Sequence, residues 1–182
     1  MSRSAAFALL VGVLVAVPPV ASTPARAEPG DPLGWSVAVD PRGRAFLKYV
    51  AENDGRRLLV LGCLRDVDSF TVLAELPAKV ADRPGVALKL SVADASWSAT
   101  GAVEASGLSG TPEFSADLDF DREAATKIAK PLLRVLTAPG PIVLQVGDSD
   151  AVELPLEALP PHAGIAEPLK KFEAVCFRAK AR

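Results

Sequence analysis

From Trp35 to Val103 the chain keeps repeating one pattern: short runs with an apolar residue at every second position, broken by clusters of Asp, Asn, Gly and Pro. A period of two puts alternate side chains on opposite faces of an extended strand, so each run has one face for a core and one for water. Tight turns between such runs favour antiparallel neighbours. Trp35 to Val39 and Ala45 to Val50 flank Asp40-Pro41-Arg42-Gly43 and read as a hairpin. Leu58 to Leu64 is almost continuously apolar, as expected of a strand covered on both faces and central in the sheet. Ser69 to Leu76 alternates, with Phe70, Val72, Ala74 and Leu76 on one side. Val86, Leu88, Leu90 and Val92 continue the period, and Trp97, Ala99, Gly101 and Val103 resume it after Asp94, which implies a second hairpin.

The Gly- and Ser-rich stretch from Ser106 to Pro112 reads as an exposed loop, and Glu113 to Leu118 as a short further strand. At Asp121 the period changes. Asp121 is a helix N-cap by type, and Ala124 to Ile128, Leu132, Leu133 and Leu136 follow at helical spacing. Pro131 allows either one kinked helix reaching Thr137 or a second helix that starts at the proline. Ile142 to Val146 and Ala151 to Leu156 read as strands joined across Gly147-Asp148-Ser149-Asp150. Ile165 to Phe177 places Ile165, Leu169, Phe172, Val175 and Cys176 on one helical face, which should dock on the sheet. The expected class is α+β: a mostly antiparallel, β-sandwich-like sheet with two helical segments in the second half.

The first 27 residues read as an export signal, with Arg3 at the start, an apolar run from Ala5 to Val17, and small residues ending in Ala25-Arg26-Ala27. That run breaks at Pro18-Pro19 and is shorter than the roughly 20 residues needed to span a bilayer. Cleavage is expected after Ala27, with residues 28–34 as a flexible leader and 35–182 as a single globular domain in the periplasm or outside the cell. Arg3 and Arg26 are the charged residues of the signal, so 18 basic side chains face 22 acidic ones afterwards. That balance argues against nucleic acid and anionic lipid, which demand a concentrated basic face.

Cys63 and Cys176, each in an apolar context, are expected to pair in such an oxidising compartment. Closing so long a loop stabilises by about 4 to 5 kcal/mol in the chain-entropy description. Redox chemistry of the Cys-x-x-Cys kind is excluded by the distance between them. His162, the one histidine, lies in Pro160-Pro161-His162-Ala163-Gly164 and lacks the partners a metal site would need. A Ser-His-Asp site lacks a Gly-x-Ser-x-Gly elbow. Asp117, Asp119 and Asp121 alternate and resemble the start of a calcium loop. Arg122 stands where that loop needs Gly, and Ile128 where it needs Glu, so the expected role is a solvated strand face running into a helix cap, with weak cation binding the alternative. Asp148 and Asp150 read as turn residues, and the glycines from Gly107 to Gly110 lack a phosphate-loop signature. Trp35 and Trp97 read as core pillars rather than the lining of a ligand groove. No catalytic residue, cofactor or metal ligand is expected.

The layout of Trp35 to Val39, Leu59-Val60-Leu61-Gly62-Cys63, Ile142 to Val146, Ala151 to Leu156 and Leu169 to Cys176 resembles small exported bacterial proteins of the invasion-associated locus B kind and of the type VI secretion accessory kind. The resemblance implies a β-sandwich-like envelope protein without catalysis and transfers no site residues. The expected function is a non-catalytic periplasmic interaction or accessory protein with an envelope protein as partner. The alternative is a small-molecule or inhibitor-type binding module, with Trp97 or Tyr49 in a pocket.

Overall fold

The alternation sorts the chain into strands as the turns dictate. In a computed structural model, which describes residues 31–51, 53, 55–76, 83–105, 111–156 and 164–177, the order is β1 (Gly34–Val39), β2 (Arg44–Val50), β3 (Arg57–Leu64), β4 (Ser69–Glu75), β5 (Arg83–Val92), β6 (Ala95–Ala105), β7 (Pro112–Asp119), α1 (Arg122–Thr137), β8 (Ile142–Val146), β9 (Val152–Leu154) and α2 (Ala166–Cys176). The stretch read as an export signal, His162 and the glycines from Gly107 to Gly110 lie outside the described residues. Among the described residues, no helix is long and apolar enough to cross a membrane.

Among the described residues all nine strands join one antiparallel sheet in the order β1-β2-β3-β4-β7-β6-β5-β8-β9. The α+β reading therefore holds, with both hairpins where the turns placed them. β3 is interior and buried along nearly its whole length, as its apolar run requires, but it is third from an edge rather than central. Pro112 opens β7 instead of closing the preceding loop.

The sheet curls because two of its strands diverge. β6 pairs with β5 from Ala95 to Val103 but with β7 only from Ala102 to Ala105, and α1 packs on β6. Gly101 marks the corner: a Cβ there would stand 2.1 Å from the Ser115 carbonyl oxygen and 2.8 Å from the Ala116 Cβ. Only glycine lets the strands come this close. Curling brings the two edges together at one point, where the Trp35 indole N–H donates to the Pro155 carbonyl just past β9.

The inward faces, with α1 and α2, enclose one core. Across it Phe70 of β4 meets Trp97 of β6 edge-on at 6.4 Å between centroids, and Trp35 tilts against Tyr49 at 5.1 Å. Among the described residues no polar or charged residue is buried. α1 runs unbroken through Pro131, since Leu132, Val135 and Leu136 beyond it are buried and hold its second half on the sheet. The Asp121 carboxylate accepts from the Ala124 N–H at 2.8 Å, the N-cap its type foretold. α2 lies on β1 and β2, and a disulfide joins its Cys176 to Cys63 of β3.

Part of the stretch read as a flexible leader is tied down. The Asp31 carboxylate accepts from Lys48 at 3.0 Å and from Arg57 at 2.9 Å, and Gly34 already belongs to β1. Two cations on adjacent strands hold this segment against the sheet, a long-range pairing that Pro and Gly content does not reveal.

Candidate interaction surface

One end of the sheet gathers the turns β1–β2 and β3–β4, because Arg44 at the start of β2 pairs with Leu64 at the end of β3. Each turn is fixed locally. Asp40 Oδ1 accepts from the Arg42 and Arg44 amides at 2.9 and 3.0 Å, and Gly43 takes a positive φ of 78°. In the second turn the Val67 amide donates to the Leu64 carbonyl, and Asp68 adopts a φ of 49°, a conformation Asp tolerates better than most residues.

The turns are also fixed to each other. Arg44 reaches across to Asp66 with its guanidinium fork, Nε to Oδ1 at 2.9 Å and to Oδ2 at 3.1 Å, and a terminal nitrogen to Oδ2 at 2.6 Å. That bond holds the Asp66 carboxyl below its ordinary range and the Arg44 guanidinium above its own. Such a bidentate pair adds direction more than stability, since both groups face water.

Behind the turns lies a cross-linked cluster. The Phe120 amide donates to the Asp68 carbonyl at 2.8 Å, tying the second turn to the end of β7. Phe70, Phe120, Phe172 and Phe177 pack ring against ring, with Phe70–Phe120 centroids 5.2 Å apart, and the Arg65 guanidinium stands 5.6 Å above Phe120. The disulfide from Cys63 to Cys176 closes the cluster.

On this support sit the two large hydrophobic side chains exposed among the described residues, Val39 at 50% and Val67 at 60%. Neither was singled out by sequence. Val39 continues the inward face of β1, but β1 outruns its cover; Val67 lies in a charged turn, Arg65-Asp66-Val67-Asp68, where an apolar side chain has no core to enter. An isolated apolar residue between two aspartates is the signal that could have flagged Val67.

Asp117, Asp119 and Asp121 take up the expected strand-face and helix-cap positions and do not converge as the cation alternative would need. Asp117 and Asp119 point outward from β7, Asp117 accepts from the Thr71 hydroxyl at 2.6 Å, Asp119 sits opposite Ser69, and Asp121 is spent on its helix cap. Among the described residues, no three His, Cys, Asp or Glu side chains are grouped to hold a metal ion. Trp97 and Tyr49 are packed against Phe70 and Trp35 inside the core, and Asp148 and Asp150 are exposed in the β8–β9 turn.

At the far end of the sheet, register places three glutamates on one rung: Glu113 of β7 lies directly opposite Glu75 of β4 and Glu104 of β6. Burial pushes the Glu113 carboxyl up, Glu75 pushes it further, and Arg57 opposes both without cancelling them. Asp31 goes the other way: burial pushes it up, but the bond from Lys48 and the charges of Lys48 and Arg57 together bring it below its ordinary value.

No protein-family model matches the chain, and no curated protein or solved structure matches it significantly.

Proposed function

We propose that this protein is a non-catalytic interaction or accessory protein of the bacterial envelope, exported to the periplasm or beyond. It engages a protein partner through the two-turn end of the sheet. The observation that carries the reading is the placement of Val39 at the end of β1 and Val67 in the β3–β4 turn, exposed apolar side chains beside turns that are hydrogen-bonded, ion-paired and backed by a disulfide. Loops that a rigid scaffold holds in place are where recognition concentrates. Covering one such half-exposed valine side chain on binding contributes on the order of 1 kcal/mol, and a preformed surface loses little entropy when it docks.

Two further features support export. The amino-terminal segment has the three regions of a secretory signal, and the disulfide suits an oxidising compartment. The resemblance to the invasion-associated locus B and type VI accessory kinds agrees with this reading and stays part of the proposal.

The test is co-purification of the tagged protein from cross-linked envelopes against a tag-only control. Reproducible recovery of a protein partner is expected. Recovery of nothing above the control would count against the reading.

A further inference from the structure

The disulfide raises a question of order. Cys63 lies on the inward face of β3, opposite Ala45 of β2 and Phe70 of β4, so its flanks are closed by the sheet. The helix that carries Cys176 covers the remaining side, and it does so by burying Leu169 and Phe172 in the same core. Both cysteines are 0% exposed. A thiol–disulfide exchange needs the attacking sulfur in line with the bond it breaks, and a protein reagent brings a whole surface to that position. With α2 seated, Cys63 cannot receive one.

We infer that the bond is made by exchange with a disulfide oxidant before α2 docks, and that docking then seals it. In the first step a cysteine thiolate of the chain attacks the oxidant's disulfide. A mixed disulfide forms and one oxidant thiolate leaves. In the second step the other cysteine thiolate attacks the chain's own sulfur in that mixed disulfide, the Cys63–Cys176 bond forms and the second oxidant thiolate leaves. The two chain thiols have lost two protons and two electrons, and the oxidant's disulfide has become a dithiol. α2 then folds down over Cys63. The inference rests on burial and topology and is independent of the partner-binding reading.

Reduction by a protein dithiol runs through the same mixed disulfide in reverse, so its rate reports the same gate. The oxidised full chain is mixed with a reduced Cys-x-x-Cys oxidoreductase, and the loss of the bond is followed by alkylation and mass. Phe172→Ala and the milder Leu169→Ala, each checked for a cooperative unfolding transition, loosen α2 without touching sulfur. The wild type should be reduced slowly, at a rate that rises with denaturant. Both variants should react faster, Phe172→Ala by at least about tenfold, as expected when a buried aromatic ring that holds the helix is removed. Rapid reduction of the wild type that is indifferent to denaturant, or variants that react at the wild-type rate, would overturn the inference.

Discussion

Replacing Gly101 with alanine adds one methyl group at the corner of the sheet, and the geometry says where it goes. The new Cβ would stand 2.1 Å from the Ser115 carbonyl oxygen, with the Phe114 ring and Ala116 Cβ each at 2.8 Å. For the carbonyl oxygen, ordinary contact lies more than an ångström farther out, and that obstacle is backbone held in two ladders. β6 must therefore move off β7, where they share only the register from Ala102 to Ala105. Overpacking in a core costs about 1 to 3 kcal/mol when side chains can give way. Here the backbone must give way, so the expectation is the top of that range, about 3 kcal/mol. For a domain of this size that lowers the melting temperature by roughly 6 to 12 °C. Gly62→Ala is the matched control. Its Cβ meets the partly exposed Phe46 ring at 2.9 Å, a side chain that can swing outward, and the cost should be near 1 kcal/mol. Thermal and urea unfolding followed by far-ultraviolet circular dichroism, with the disulfide intact, measures both. A Gly101→Ala protein within about 1 kcal/mol of the wild type, or one no worse than Gly62→Ala, would refute the corner argument.

Glu113→Gln should make the protein more stable at neutral pH. Its folded pKa is raised above the ordinary 4.5, so the wild type has the full benefit below that value and loses it as pH rises through the folded value. Urea titrations in steps from about pH 4 to pH 8 should show that fall in the wild type and flatten it in the variant; an unchanged profile would contradict it. Asp31→Asn should destabilise by about 1 to 3 kcal/mol at pH 7, because Lys48 and Arg57 lose a mostly buried counter-charge. Asp31's folded pKa is depressed, so its contribution is present above 3.8 and is lost as pH falls through the folded value; wild type and variant should therefore converge in acid. Ala93→Gly should stabilise by up to about 1 kcal/mol in a thermal scan, since Ala93 sits at a φ of 48° in the two-residue β5–β6 turn, which suits glycine better. A lower melting temperature would show that the turn does not strain alanine.

The strands were legible because burial writes itself along the chain with a period of two. Phe70, Val72 and Ala74 face inward and Thr71, Leu73 and Glu75 outward, as their order dictates. Turn residues located both hairpins, and Asp121 announced its helix. Strand order was not legible. Nothing local tells β7 to insert between β4 and β6, or β8 to pair with β5, since those choices are made by long-range packing and by the close approach at Gly101. The same limit applies to charge. Asp31 reads as a loop residue until Lys48 and Arg57 arrive from neighbouring strands, and Glu75, Glu104 and Glu113 read as ordinary outward positions until register sets them on one rung. The candidate surface was hidden for a related reason. Val39 differs from a buried valine only in where its strand ends relative to its cover, which sequence does not show, whereas Val67 stood out only by its place between two aspartates.

The central claim is that Val39 and Val67, at the turn end, meet a protein partner. Its most direct measurement is parallel capture from cross-linked envelopes using the tagged wild type and a Val39→Asp/Val67→Asp double variant, the two first shown to have the same melting temperature within a degree or two. Both positions are more than one-third exposed, so the fold should tolerate the change. The account predicts a partner that the wild type recovers and the double variant loses by at least about tenfold, the effect of removing roughly 1.4 kcal/mol or more of binding. Equal recovery of the same partner by both proteins would contradict it, and the contact surface would have to lie elsewhere on the molecule.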